Sequence, residues 1–244
     1  MIQREQYAYS GYQLFWEALD WLFPPTCSGC GVPGVRWCNH CESKLNLLPD
    51  LVCDCCGIPA EGNEQCDECS NNPPSFSSIR SQYSYEGEIR EALHALKYKN
   101  DLGIGEILAS KSANFLQKLG WKIDLIVPVP LGRARLKERG YNQAAMIAYP
   151  IALKSRIPYH SRILKRSRET ISQVDLSAEN RKVNVKDAFY ADSNMVEGRS
   201  VLVVDDIITT GATMEESARA LKAAGATSIY GLSVARAMLV HRYT

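Results

Sequence analysis

The stretch that decides the fold is VLVVDDIITTGAT, residues Val201 to Thr213. Its first four residues are apolar and three of them are β-branched, which predicts a strand buried in a parallel sheet. Asp205 and Asp206 are then expected to leave the strand at its carboxyl end, the edge where open α/β sheets bind ligands. The next residues predict a turn and then a helix from about Met214 to Ala224.

The turn after the two aspartates has the composition of a phosphate site. It consists of small and hydroxyl residues: Thr209, Thr210, Gly211, Ala212 and Thr213. Such a turn directs backbone N–H groups and a helix N-terminus at one spot, which suits a phosphate monoester. The acid pair beside it suits ribose hydroxyls, directly or through a metal ion. The plainer alternative is a capped helix with Thr210 or Thr213 as its N-cap, but capping does not require two adjacent acids.

The composition is that of an ordinary soluble globular protein. The chain has 244 residues, of which 45% are hydrophobic and 23% charged, enough for one large domain or two. The formal net charge of +1 gives no overall bias toward nucleic acid, so a nucleic-acid surface would have to be local.

The segment from Gln13 to Phe23 predicts an amphipathic helix. We expect its apolar face, made of Phe15, Ala18, Leu19 and Leu22, to pack against the domain behind it. A membrane-surface position is the alternative, but the basic face typical of such helices is missing. The apolar run is too short to span a bilayer, and no signal peptide is recognised. The expectation is a cytoplasmic protein with no membrane span.

All nine cysteines lie between Cys27 and Cys69. Eight of them form CxxC units, which favour thiolate metal ligands over disulfides. Two such units complete one tetrahedral zinc site, so we predict two structural zinc ions. The ligands are Cys27, Cys30, Cys38, Cys41, Cys53, Cys56, Cys66 and Cys69. Sequential pairing of the units is favoured and a cross-brace stays open, while Cys55 is interpreted as a bystander thiol.

A polar, proline-bearing stretch from Ser70 to Ser78 separates the cysteines from the rest of the chain. We therefore expect an N-terminal amphipathic helix in residues 1-25, a double zinc ribbon in 26-72 and a second domain in 78-244. Strands alternate with helices from about residue 80 onward, which predicts an α/β domain with a parallel sheet.

Two further segments have the character of anion sites. LGRARLKERGYNQA, Leu131 to Ala144, places Arg133, Arg135 and Arg139 after a predicted strand, where they could contact pyrophosphate or a DNA backbone. A merely solvated basic helix is the alternative. The long polar segment from Lys165 to Phe189 predicts a mobile lid over an anionic site, or else an ordinary surface loop.

Taken in order, five parts of the chain resemble the ComF family of competence-associated proteins: LFPPTCSGC, the later CxxC units, VPVPLGRARLKERGYNQA, RSRETISQVDLSAENRKVNVKDAF and VLVVDDIITTGAT. That family joins an N-terminal double zinc ribbon to a type I phosphoribosyltransferase domain. The resemblance implies an α/β fold, with a type I phosphoribosyltransferase-like parallel sheet flanked by helices and a small N-terminal zinc-ribbon module.

The resemblance also implies a donor site for phosphoribosyl pyrophosphate (PRPP), bound with Mg²⁺. Asp205 and Asp206 would bind the ribose hydroxyls, and the loop from Thr209 to Thr213 would hold the 5′-phosphate. Arg133 and Arg135 correspond to the pyrophosphate loop. Arg168 falls in the flexible catalytic loop, and the resemblance implies catalytic roles for Arg168, Asp205 and Asp206.

Two classes of function follow from the resemblance. In the one we favour, the chain binds PRPP and acts in natural competence, handling incoming single-stranded DNA in the cytoplasm together with DNA-uptake proteins. In the other, it is an active phosphoribosyltransferase that transfers phosphoribose to an unidentified acceptor. The acid pair favours PRPP because it would repel a DNA backbone, whereas the basic run favours DNA.

Overall fold

The computed structural model describes residues 2–60, 64–167 and 187–238, with only the backbone described for 2–7. The strands are β1 Ser78–Ser84, β2 Leu125–Pro128, β3 Leu164–Arg166, β4 Phe189–Ala191, β5 Ser200–Ile208 and β6 Ser228–Arg236. The helices are α1 Ile2–Leu22, α2 Asn39–Ser43, α3 Asp67–Asn71, α4 Gly87–Tyr98, α5 Gly103–Leu119, α6 Arg133–Arg139, α7 Gln143–Ser155, α8 Ser193–Val196 and α9 Ala212–Ala223.

The predicted parallel sheet is confirmed, with strand order β1-β6-β5-β2. The apolar run of β5 lies inside the sheet, and its side chains alternate between two cores. Val201 and Val203 share a core with α9, whereas Leu202 and Val204 share the other core with α4, α5 and α7. A small antiparallel hairpin, β3 with β4, packs against α9. Helices therefore cover both faces of the sheet.

The cysteine-rich segment covers the outer edge of β1. Leu47 forms an antiparallel bridge with Tyr83, and Ser84 donates its backbone N–H to Asn46 at 2.9 Å. Further along the strand, the Ile79 N–H donates to the Cys55 carbonyl at 2.7 Å. An uncovered edge strand offers unpaired backbone groups to other chains, and these bonds occupy several of them. The zinc-ribbon segment thus packs directly on the sheet.

The packing predicted for the N-terminal helix is wrong. The helix extends over Ile2–Leu22, and Phe15 and Leu22 are 56% and 60% exposed. The opposite side faces the domain instead: the Tyr9 hydroxyl donates to Glu106 at 3.0 Å, and Tyr12 packs edge-on against Tyr149. Aromatic side chains with a polar end fit this contact because α5 presents a carboxylate there.

Strand β5 is longer than the sequence predicts. β5 continues through the acid pair to Ile208, because β6 is equally long and pairs with it as far as Arg236. Pro150 lies buried inside α7, which continues past it to Ser155. Packing of α7 against α5, β2 and β5 outweighs the backbone hydrogen bond that a proline removes. Of the helices in the described ranges, none combines the length and hydropathy that a bilayer crossing requires.

Candidate functional site

The acid pair, Asp205 and Asp206, lies near the C-terminal end of β5, at the carboxyl edge of the sheet. Because successive strand residues point to opposite faces, Asp206 follows Leu202 and Val204 toward the α4 side. There its Oδ2 lies 2.5 Å from the Nζ of Lys97. Asp205 accepts a hydrogen bond from the Asp206 N–H at 2.9 Å. The two carboxylates are thus adjacent, and one of them is already paired with a cation.

Burial and the neighbouring charges shift the pKa values of Asp205 and Lys97. Burial, followed by the negative charge of Asp206, raises the pKa of Asp205 well above its usual range. Burial by itself disfavours the ammonium form of Lys97, but the ion pair with Asp206 outweighs burial and raises the pKa of Lys97. The cluster therefore favours an added positive charge, such as a metal ion or a proton.

The loop after β5 forms the predicted turn into a helix. Gly211 is the N-cap, with φ of +80°, a left-handed conformation that favours glycine. Thr210 and Thr213 are therefore not the N-cap, although the Thr210 Oγ1 accepts from the Ala212 N–H at 3.4 Å. Gly211 itself has no side chain that could cap the first turn of α9, and a helix N-terminus capped by glycine suits an anion at that position.

The basic segment begins at the same edge of the sheet. β2 pairs with β5, and the Val129 N–H donates to the Val204 carbonyl at 2.9 Å, directly before the acid pair. Helix α6 then carries Arg133, which is exposed, and Arg135, which is half-buried. The structure thus brings the three predicted groups, acids, threonine loop and basic helix, to one edge.

The end of α6 contacts the end of α4. The guanidinium carbon of Arg139 lies 4.7 Å from the centre of the Tyr98 ring, which is 52% exposed. The Tyr141 hydroxyl donates to the Leu96 carbonyl. The aromatic ring available beside the basic helix is therefore Tyr98. Tyr98 lies far from the basic segment along the sequence, so this contact could not be predicted from the sequence.

The eight CxxC cysteines form two clusters in sequential order, as favoured. Cys27, Cys30, Cys38 and Cys41 make one and Cys53, Cys56, Cys66 and Cys69 the other, with the sulfur atoms of each within 4.8 Å of one another. Sγ–Sγ distances of 3.6 and 3.7 Å agree with the ~3.8 Å expected around a tetrahedral ion with Zn–S bonds of ~2.3 Å. The four thiolates of each cluster fit a structural zinc ion, and we assign both clusters as zinc sites.

The second cluster is held by arginines of the sheet. Arg236, buried at the end of β6, donates to the Cys56 carbonyl at 2.5 Å. Arg80 donates to the carbonyls of Cys53 and Asp54, at 3.3 and 3.1 Å. A zinc ion with four thiolates carries a net negative charge, which these guanidinium groups offset. The first cluster instead contacts the α4–α5 connection through Ser28, whose hydroxyl donates to Asp101 at 2.5 Å.

Comparison with known proteins agrees with this architecture. Residues 95–240 match the phosphoribosyl transferase domain, and residues 18–70 match the double zinc ribbon domain. The DNA utilization protein YhgH of Escherichia coli K12 is 30% identical over 220 residues, which cover 84% of this chain and 94% of that protein. Competence protein F of Haemophilus influenzae is 30% identical over 221 residues, 86% of this chain and 90% of that protein. The chain belongs to the ComF family.

A third relative is competence protein ComFC of Bacillus subtilis, 28% identical over 196 residues that cover 78% of this chain and 79% of that protein. In this ComF chain, the acid pair, the threonine loop and the basic helix lie at the carboxyl edge of the sheet. Lys97 is a neighbour of the acid pair that no local pattern could link to it. Arg168, with the rest of 168–186, lies outside the described residues.

Proposed function

We propose that this ComF chain binds PRPP at the carboxyl edge of its sheet. The observation that supports this most is the register of β2, β5 and β6, which sets the acid pair, the glycine-capped N-terminus of α9 and the basic helix side by side. Each of these suits one part of PRPP: diol, phosphate monoester and pyrophosphate. A strand and a capped helix serving only the fold would require neither the acid pair nor the basic helix.

In this proposal Asp205 and Asp206 accept hydrogen bonds from the ribose hydroxyls. The backbone N–H groups of residues 210–213 hold the 5′-phosphate, and Arg133, Arg135 and Arg139 face the pyrophosphate. Mg²⁺ fits the acid pair because carboxylate oxygens are its preferred ligands and Asp206 already attracts a cation, Lys97. The metal would supply positive charge to the pyrophosphate group.

Isothermal titration calorimetry tests the donor site. Wild-type protein should bind PRPP in the presence of Mg²⁺, and Asp205→Asn with Asp206→Asn should abolish the binding. The matched control is Asp50→Asn, which removes an exposed carboxylate from the zinc-ribbon segment. Unchanged PRPP affinity in the double variant would remove the assignment of these acids.

We further propose that the chain handles single-stranded DNA in the cytoplasm during competence. The names of its relatives, competence protein and DNA utilization protein, support a role with DNA. Exposed Arg133 supplies a cation on α6, and Tyr98 offers a half-exposed ring on which a base could stack. The acid pair would repel phosphates, so the DNA backbone would follow α6.

Fluorescence anisotropy with a labelled deoxythymidine oligonucleotide tests this second proposal. Affinity should fall with salt, and Arg133→Glu with Arg135→Glu should lower both the affinity and the salt slope, by ~0.7 for each lost phosphate contact. Lys118→Glu with Lys122→Glu is the matched control, because it makes the same charge change on exposed residues near the amino end of β2. Absence of binding at low salt would contradict direct DNA handling.

The alternative function is transfer of phosphoribose from PRPP to an acceptor. The same donor site favours it, because departure of pyrophosphate from the ribose would place negative charge beside the α6 arginines. A screen for pyrophosphate release from PRPP with nucleobases as acceptors tests it. Release that depends on one base and is lost in Asp205→Asn with Asp206→Asn would assign the acceptor; no release with any base would favour the binding role.

A further inference from the structure

Lys97 lies in the last turn of α4, and its ammonium group reaches the acid pair. The Nζ–Oδ2 distance to Asp206 is 2.5 Å, and the two side chains are only 19% and 11% exposed. The residues on either side are tied to the α6 region: the Leu96 carbonyl accepts from Tyr141, and the Tyr98 ring lies against Arg139. The position of Lys97 is therefore fixed by contacts other than its ion pair.

Lys97 occupies Oδ2 of Asp206, one of the oxygens that the acid pair could offer to a ligand. A carboxylate bound to an ammonium group cannot offer the same lone pairs to a divalent cation. Without a neighbouring cation, two adjacent carboxylates with little solvent around them would repel each other. Lys97 supplies that cation in the protein alone.

We propose that Lys97 is the internal counter-ion of the acid pair, and that a divalent cation must displace it from Asp206 in order to bind there. The inference rests on the proposed function of the acid pair and adds a residue that sets its affinity. Lys97 is a positioning residue in this account, because it acts through the carboxylate. Lys97 thereby lowers the affinity of the acid pair for a divalent cation when PRPP is absent.

Substitutions at Lys97 separate this role from a structural one. Mn²⁺ binding, measured by electron paramagnetic resonance without PRPP, should become about ten-fold tighter in Lys97→Met, because a charge-assisted competitor is lost. Lys97→Arg keeps the charge and should resemble wild type. In Lys97→Met with Asp206→Asn the gain should disappear, because the released carboxylate is missing.

Lys111→Met is the matched control. Lys111 also forms an ion pair of 2.5 Å, with Glu42, but it lies on α5 away from the acid pair. Loss of that pair should leave Mn²⁺ affinity unchanged. If Lys97→Met binds Mn²⁺ no more tightly than Lys111→Met does, the ion pair is only structural and the proposal is wrong.

A measurement on the wild-type protein guards against misfolded variants. Saturating Mg²⁺ should increase acetylation of Lys97 by acetic anhydride, quantified by mass spectrometry against Lys111. Unchanged labelling of Lys97 would show that the cation does not displace it. Calorimetry of PRPP on wild type remains separate: failure there refutes the donor proposal, whereas the Mn²⁺ and labelling results decide the role of Lys97.

Discussion

Two glycines in equivalent positions of the zinc ribbon should respond very differently to alanine. Gly31 and Gly57 each follow the second cysteine of a CxxC unit, and both are left-handed, with φ of +79° and +69°. A Cβ at Gly31 meets nothing within 4 Å, whereas a Cβ at Gly57 would lie 2.4 Å from the Ile79 carbonyl oxygen. Comparing Gly31→Ala with Gly57→Ala therefore separates the cost of backbone strain from the cost of a steric clash with the sheet.

The magnitudes follow from these contacts. A left-handed alanine costs about 1–2 kcal/mol, and this should be the whole cost of Gly31→Ala. In Gly57→Ala the zinc ribbon must also move away from β1 by ~1 Å to reach ordinary contact distance. That movement weakens the bond from the Ile79 N–H to the Cys55 carbonyl, now 2.7 Å, and an unsatisfied buried group costs about 1–3 kcal/mol. We expect a total of ~2–5 kcal/mol for Gly57→Ala.

Urea denaturation of zinc-loaded protein, with the zinc content of each variant determined, measures both costs. Gly57→Ala should lower the free energy of unfolding by about 1–3 kcal/mol more than Gly31→Ala does, because the left-handed strain is common to both variants. Equal losses in the two variants would refute the reasoning, because the second zinc ribbon would then not be in direct contact with β1.

Two further predictions concern charge and metal. Burial raises the pKa of Asp205, so the stability that its protonated form contributes is lost as the pH rises from the ordinary aspartate range through the raised value. In thermal unfolding, Asp205→Asn should therefore stabilise the fold more at pH 8 than at pH 5. An equal effect at both pH values would contradict the raised pKa. Elemental analysis should give two zinc ions per chain, and Cys69→Ser should destabilise more than Cys30→Ser because Cys69 lies in the core with Phe76 while Cys30 is exposed.

The parts of the fold that sequence could predict are those encoded by local patterns. The apolar, β-branched start of β5 predicts a buried strand with acids near its end, and the CxxC spacing predicts two zinc sites. The spacing favours sequential pairing of the CxxC units but leaves a cross-brace open, and the structure decides between them. These signals are local because the order of residues within one short segment carries each of them. The extension of β5 to Ile208 was not predictable in the same way, since it depends on the length of β6.

Contacts between distant segments could not be predicted. The N-terminal helix carries apolar residues around most of its circumference, so its pattern does not define which side faces α5 and α7. The pairing of Lys97 with Asp206 depends on where α4 crosses the sheet edge. The pairing of Leu47 with Tyr83 likewise joins segments that have no common motif. Such contacts follow from tertiary packing, which a single sequence does not reveal.

A crystal structure of the chain with Mg²⁺ and PRPP tests the central claim most directly. The account predicts the 5′-phosphate within hydrogen-bond distance of the backbone N–H groups of residues 210–213, the ribose hydroxyls on Asp205 and Asp206, and the pyrophosphate toward α6. The contradicting result is PRPP in the cleft of about 510 Å³ between the first zinc cluster and α4, beside Arg36, with Lys97 still on Asp206.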